Sequence, residues 1–127
     1  MNNPQPLDIA EARVKIAEMS RQQSQQEQLR MDAARKLAEC ERVYRLALAT
    51  GIVHHHAEGV AWTACRDLAL GEKIVADLRY ERDVARGVLD SCADAAYRHA
   101  ADRRAMEEIV RWSHSVDVRA LGGSGGA

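Results

Sequence analysis

The chain has 127 residues with 18 Lys+Arg against 19 Asp+Glu, so it is about one small domain of formal charge -1. Hydrophobic residues make up 46% of it, but there is no Phe and only two Trp and three Tyr, which excludes a large aromatic core. Two prolines and eight glycines, four of these within Gly122–Gly126, leave the rest poor in turn residues, which excludes an all-β or α/β fold. The expected class is all-α. The apolar side chains are mostly Ala, Leu and Val, so a solitary globule buries limited area and self-association is the expected source of further stability. Cys40, Cys65 and Cys92 are odd in number, widely spaced and without a C-x-x-C pair, which predicts free thiols in a reducing compartment. No run approaches the ~18 apolar residues of a membrane span, and Met1–Pro6 has no signal-peptide pattern, so the expectation is a cytoplasmic protein that does not enter membranes.

Residues 1–7 are expected to be a disordered lead. Helix signals begin at Asp8, whose carboxylate is placed to cap the first turn, with Glu11 three residues on to complete a capping box. From there Ile9, Ala12, Ile16, Met19, Gln23, Gln26, Arg30, Ala33, Leu37, Cys40, Tyr44 and Ala47 follow alternating spacings of 3 and 4, a heptad seam. Its middle is polar, because residues 20–28 hold five glutamines, and a break in the long helix is expected there. Beyond Leu37 a second stripe, Val43, Leu46, Thr50 and Val53, widens the apolar face. Gly59 ends the pattern and places the helix end near Ala57, giving an N-terminal helical region over 8–58.

Residues 59–71 read as a corner with a short helix capped by Thr63 and ended by Gly71. A second long helix, the assembly helix, is predicted over 72–117, ending near Val116. Ile74, Leu78, Ala85, Val88, Cys92, Ala95, His99, Met106 and Ile109 are expected on one face. Of these, Ile74, Leu78, Val88, Cys92, Ala95, Met106 and Ile109 are the expected oligomerisation residues. Residues 118–127 have the composition of a flexible tail. The architecture predicted is a hairpin of two long amphipathic helices with a short helix between them, assembling as a homo-oligomer.

Motifs for catalysis are missing: there is no phosphate loop, no dinucleotide fingerprint, no nucleophile elbow and no His or Asn near a cysteine. The expectation is a non-enzyme without cofactors. His54, His55 and His56, with Glu58 beside them, suggest metal ligands at first sight. Consecutive helical positions point about 100° apart, so three adjacent imidazoles do not converge on one ion, and no metal site is predicted. A helix end carrying His near the negative end of its dipole accounts for the run.

Charge placement carries more than net charge. No acidic residue falls between Arg42 and Ala57, a span that holds Arg42, Arg45 and the three histidines, with Arg35 and Lys36 just upstream. On the second long helix Arg79, Arg82 and Arg86 share a face, with Lys73 before them and Glu72, Asp83 and Asp90 nearby. Fifteen of the eighteen cations are Arg, the residue suited to bidentate phosphate contact. The predicted nucleic-acid surface is Arg35, Lys36, Arg42 and Arg45, with Lys73, Arg79 and Arg82 as a secondary one. Tyr44 and Trp62 are the aromatic residues closest to this zone and the candidates for stacking on bases. A solvated helix face laced with ion pairs is the competing account of the same stripes.

The segment Gly71-Glu72-Lys73-Ile74-Val75, then Leu78, then Gly87-Val88-Leu89-Asp90-Ser91-Cys92, Ala95 and the helix to Trp112 resembles the C-terminal helical region of UvsY-type phage recombination mediators, over about residues 71–116. Upstream, the helix with Arg42, Val43, Arg45 and Leu46 is similar to that family's basic helix. The resemblance implies a non-enzymatic protein of a phage-infected or lysogenic bacterial host. Such a protein binds single-stranded DNA, assembles into a ring and helps load a recombinase where single-strand-binding protein must be displaced. The Gln-rich stretch and the His54–His56 run have no counterpart in it. Two other classes fit the composition: a helical phage structural or scaffold protein that oligomerises without touching DNA, and a coiled-coil adaptor that binds a host protein through Leu7–Met19.

Overall fold

The computed structural model describes residues 8–123, and among these the chain is helical, with three helices and no strand: α1 (Ile9–Ala57), α2 (Trp62–Leu70) and α3 (Lys73–Gly123). No helix among the described residues is long and apolar enough to cross a membrane. The expected lead at 1–7 and the last four residues of the expected tail lie outside the described residues.

Local chemistry sets the helix ends. The Ala10 amide donates to the Asp8 carboxylate at 3.1 Å, as the cap predicts, although among the described residues Glu11 makes no reciprocal bond. At the other end of α1 the Val60 amide donates to the His55 carbonyl and the Gly59 amide to the His56 carbonyl, and Gly59 has φ 96°. This is the left-handed closure that satisfies the last carbonyls of a helix, and only glycine enters it without strain. The expected break at 20–28 does not occur: α1 runs through it. Glutamine is a good helix former, and the Ser24 hydroxyl bonds back to the Ser20 carbonyl at 3.2 Å without interrupting the turn. The short helix starts earlier than expected, with Ala61 at the cap position and no side-chain cap, so Thr63 is a helical residue rather than the cap. The second long helix continues past Val116 to Gly123, so residues 118–123 are helix where a tail was expected.

By its contacts the chain divides into two compact units, one of residues 28–93 and one of 8–27 with 94–123. In the first, α1 and α3 run antiparallel, and Tyr44, Leu48, Ala69 and Val75 form the buried core, flanked by Ala47, Ile52, Leu70 and Leu78. Ala33, Cys40, Cys65 and Ala85 extend it, and Arg30 of the predicted seam is exposed. In the second, Ala12 is buried, Ile9, Ile16, Met19, Gln23 and Gln26 are half-buried, and Arg103 reaches Ser20 Oγ at 3.5 Å. All three cysteines are free, and Cys65 donates to the Ala61 and Val60 carbonyls.

The predicted phase of α3 needs correcting. Its residues facing α1 are Val75, Leu78, Arg82, Ala85, Leu89 and Cys92 in the first unit, and in the second unit the half-buried set is Ala95, Ala96, His99, Ala100, Arg103, Met106, Glu107, Val110 and Ser113. Of the expected assembly residues, Leu78, Cys92, Ala95 and Met106 are thus at least half-buried within their units, whereas Ile74, Val88 and Ile109 are exposed, Ile74 by 65%. The helix carries apolar doublets at 74/75, 88/89 and 109/110, and within its own unit the second of each is the less exposed, Val75 buried and Leu89 and Val110 half-buried. The first of each is left on the surface.

At Gly51 α1 and α2 approach closely. A Cβ there would lie 3.1 Å from Ala69 Cβ and 3.4 Å from Glu72 Oε2. Gly51→Leu is expected to lower the unfolding free energy by about 2–3 kcal/mol through overpacking. Gly51→Ala should stay within about 1 kcal/mol of the parent, because its better helix propensity offsets a small shift of Ala69. Chemical denaturation followed by circular dichroism distinguishes the two; equal effects would mean that α2 does not press on α1 at this point.

Candidate nucleic-acid interface

The cations predicted from the sequence fall into three groups. Arg35, Lys36 and Arg79 are exposed and make no ion pair among the described residues. Lys73, almost fully exposed, pairs with Asp77 at 2.7 Å one turn along its own helix. Arg42 grips Glu39 bidentately, at 2.6 and 3.1 Å. Its hydrogen bonds and charge hold the Glu39 carboxyl below its ordinary range, while Glu39 raises Arg42 in turn.

The last group joins the two predicted surfaces. Glu41 accepts from Arg45 Nε at 3.0 Å, while its other oxygen, buried and without a hydrogen bond, lies 3.6 Å from Arg82 Nε and 3.7 Å from Arg86 Nη2. Three guanidinium groups from α1 and α3 therefore surround one carboxylate. Their surplus positive charge is offset in part by Asp83, which Arg82 bonds at 2.8 Å. Arg82 is 15% exposed and its guanidinium lies over the Tyr44 ring, 4.6 Å from the centroid. Its hydrogen bond to Asp83 is the main cause that raises it above the ordinary arginine value. Arg82 is thus committed to the interior of the hairpin, whereas Arg45 and Arg86 present most or half of their side chains to solvent. Tyr44, at 5% exposure, is closed to any base, which removes it as a stacking candidate.

The acid-free span in the sequence is not acid-free in space. Glu39 and Glu41 reach up to Arg42 and Arg45 from the preceding turn, Glu58 meets His54 at 3.2 Å, and Glu72 meets His55 at 2.5 Å. The three histidines diverge, each to its own partner. His54 takes Glu58, His55 takes Glu72, and His56 bonds the Val60 carbonyl at 3.0 Å while stacking on Trp62. Among the described residues no group of three or more His, Cys, Asp and Glu side chains is placed to hold a metal ion. Sequence reasoning missed Glu41 as a hub, since its partners lie on another helix some forty residues away and only the hairpin register unites them.

A groove lined by Ala33, Lys36, Cys40, Tyr80, Glu81, Val84 and Val88 runs along the opposite side of the hairpin from this cluster, since Lys36 and Arg45 are nine residues, half a turn of the helical wheel, apart. Tyr80, Val84 and Val88 form a ridge at i, i+4 and i+8 on α3, and all three are exposed. Further along the same side, Val43, Leu46, Thr50, Ile74 and Leu78 line a second groove, Val43 standing seven residues from Lys36 and Ile74 seven from Glu81. Compared with protein families, with curated proteins and with solved structures, the chain matches none.

Proposed function

We propose that the protein is a recombination mediator that binds single-stranded DNA as a homo-oligomer, a ring in its assembled form, and helps load a recombinase onto strand covered by single-strand-binding protein. The observation that carries the reading is the arginine cluster around Glu41, where Arg45 of α1 and Arg86 of α3 keep exposed guanidinium groups and the unpaired Arg79 lies two turns from Arg86 on the same stripe of α3. Exposed ion pairs such as Arg42–Glu39 contribute little to stability, so a phosphate can take the place of the carboxylate at small cost. One protomer offers only a few phosphate contacts and binds weakly. Copies joined through the Tyr80–Val84–Val88 ridge offer many to one strand, and successive contacts become intramolecular.

Arg42→Ala with Arg45→Ala is expected to weaken binding of labelled single-stranded DNA in an anisotropy titration while leaving oligomer size unchanged. The log–log salt slope should fall in magnitude by roughly 0.7 per lost phosphate contact. If affinity and slope stay at parental values in the double variant, while Lys73→Ala with Arg79→Ala lowers both, the strand runs along α3 instead. A second reading, a helical phage structural or scaffold protein that oligomerises without DNA, is favoured by a different observation: Arg42, Arg45, Lys73 and Arg82 each already have a carboxylate partner. Under it, neither pair of substitutions changes anything, because the parent itself does not bind.

A further inference from the structure

At the corner between α1 and α2, the His56 and Trp62 rings stack with centroids 3.5 Å apart and planes inclined by 15°. The stack is held from below. His56 Nδ1 donates to the Val60 carbonyl, which can only accept, so both the tautomer and the ring orientation are set. Trp62 is the first residue of α2 and is 59% exposed even though the imidazole covers one face of its indole. Its free surface is therefore the opposite face and the outer edge. Arg66 lies one turn along α2 at i+4, on the same side of the helix, exposed and without an ion pair among the described residues. A pre-oriented aromatic face beside an unpaired guanidinium is the pair of features that takes one nucleotide of a single strand, since every base has a π-face and every nucleotide a phosphate.

We propose that Trp62 is a base-stacking platform, taking one unpaired base on the indole face opposite His56, with Arg66 on the neighbouring phosphate. This rests on the single-strand reading above and adds a contact that distinguishes bases from bare phosphate. Because the His56 stack and the Val60 bond already fix the ring, little ordering is lost when a base arrives.

The test uses the full chain carrying Trp112→Phe, which leaves Trp62 as its only indole. An oligothymidylate and an abasic strand of equal length, hence equal phosphate count, are titrated while strand anisotropy and Trp62 emission are read together. The oligothymidylate should bind about tenfold tighter than the abasic strand and quench Trp62. Adding Trp62→Ala should erase that difference, and Trp62→Phe should keep part of it. If both strands bind equally and Trp62 emission does not change, the platform is overturned while phosphate binding stands. Emission that shifts with protein concentration alone and ignores the oligothymidylate would make Trp62 a contact between copies and overturn the platform too. If neither strand binds, the single-strand reading falls and the platform falls with it.

Discussion

Replacing Tyr44 by Ala is expected to lower the unfolding free energy by about 3–4 kcal/mol and the thermal midpoint by roughly 10 °C. The ring is buried between α1 and α3 against Leu48, Ala69 and Val75, with no other aromatic residue in that core to fill the space. Its loss leaves a cavity in a core built from small side chains, whose neighbours cannot expand into it. It also strips the Arg82 guanidinium of the face it rests on, leaving that mostly buried charge to Asp83 and Glu41. Tyr44→Phe keeps the ring and should cost less than about 1 kcal/mol. Thermal melting read by circular dichroism checks the pair. A Tyr44→Ala variant as stable as the parent would place the core elsewhere.

The adjacent residues Val88 and Leu89 should respond in opposite ways to the same charge. Val88, at 50% exposure, belongs to the ridge on the outside of the hairpin, and Leu89 faces α1. In an oligomer joined through the ridge, Val88→Asp removes apolar burial and introduces a carboxylate without a partner. About 3 kcal/mol of lost association free energy is roughly a hundredfold in the dissociation constant. The variant should keep its helical circular dichroism and run as a smaller species in light scattering. Leu89→Asp places the charge inside the hairpin and should cost helicity instead. An unchanged oligomer with Val88→Asp would move the interface away from the ridge, with the Val43, Leu46 and Ile74 groove next in line.

The reason this pair is informative is also the reason the sequence alone mis-phased α3. Periodicity does not choose between two adjacent apolar residues that both keep the spacing. At 74/75, 88/89 and 109/110 two large apolar residues are adjacent, and either satisfies the spacing. Contact with α1 decides between them, and that is a tertiary property. On α1 the predicted seam at Ala33, Cys40 and Tyr44 is the buried one, with Cys40 flanked by Glu39 and Glu41 and so unambiguous. Helix ends were legible where backbone chemistry fixes them, at Asp8 and Gly59, and not at α2, which begins without a side-chain cap.

The candidate interface was legible as a list of cations but not as a surface. An acid-free run measures separation along the chain, while a salt bridge depends on reach, and a glutamate one turn upstream reaches as well as an adjacent one. That is why Arg42 and Arg45 are paired despite the run. Arg82, grouped in sequence with Arg79 and Arg86 by helical spacing, separates from them because the seam of α3 passes through it.

The central proposal is that assembled copies of this chain hold a single strand. Native mass spectrometry of the protein mixed with an oligothymidylate long enough to span several protomers tests it most directly. The predicted spectrum contains one strand bound to several copies of the 14.1 kDa chain, with the complex lost as salt is raised. A spectrum of 14.1 kDa monomers, or of oligomers, beside free strand at low salt would contradict it.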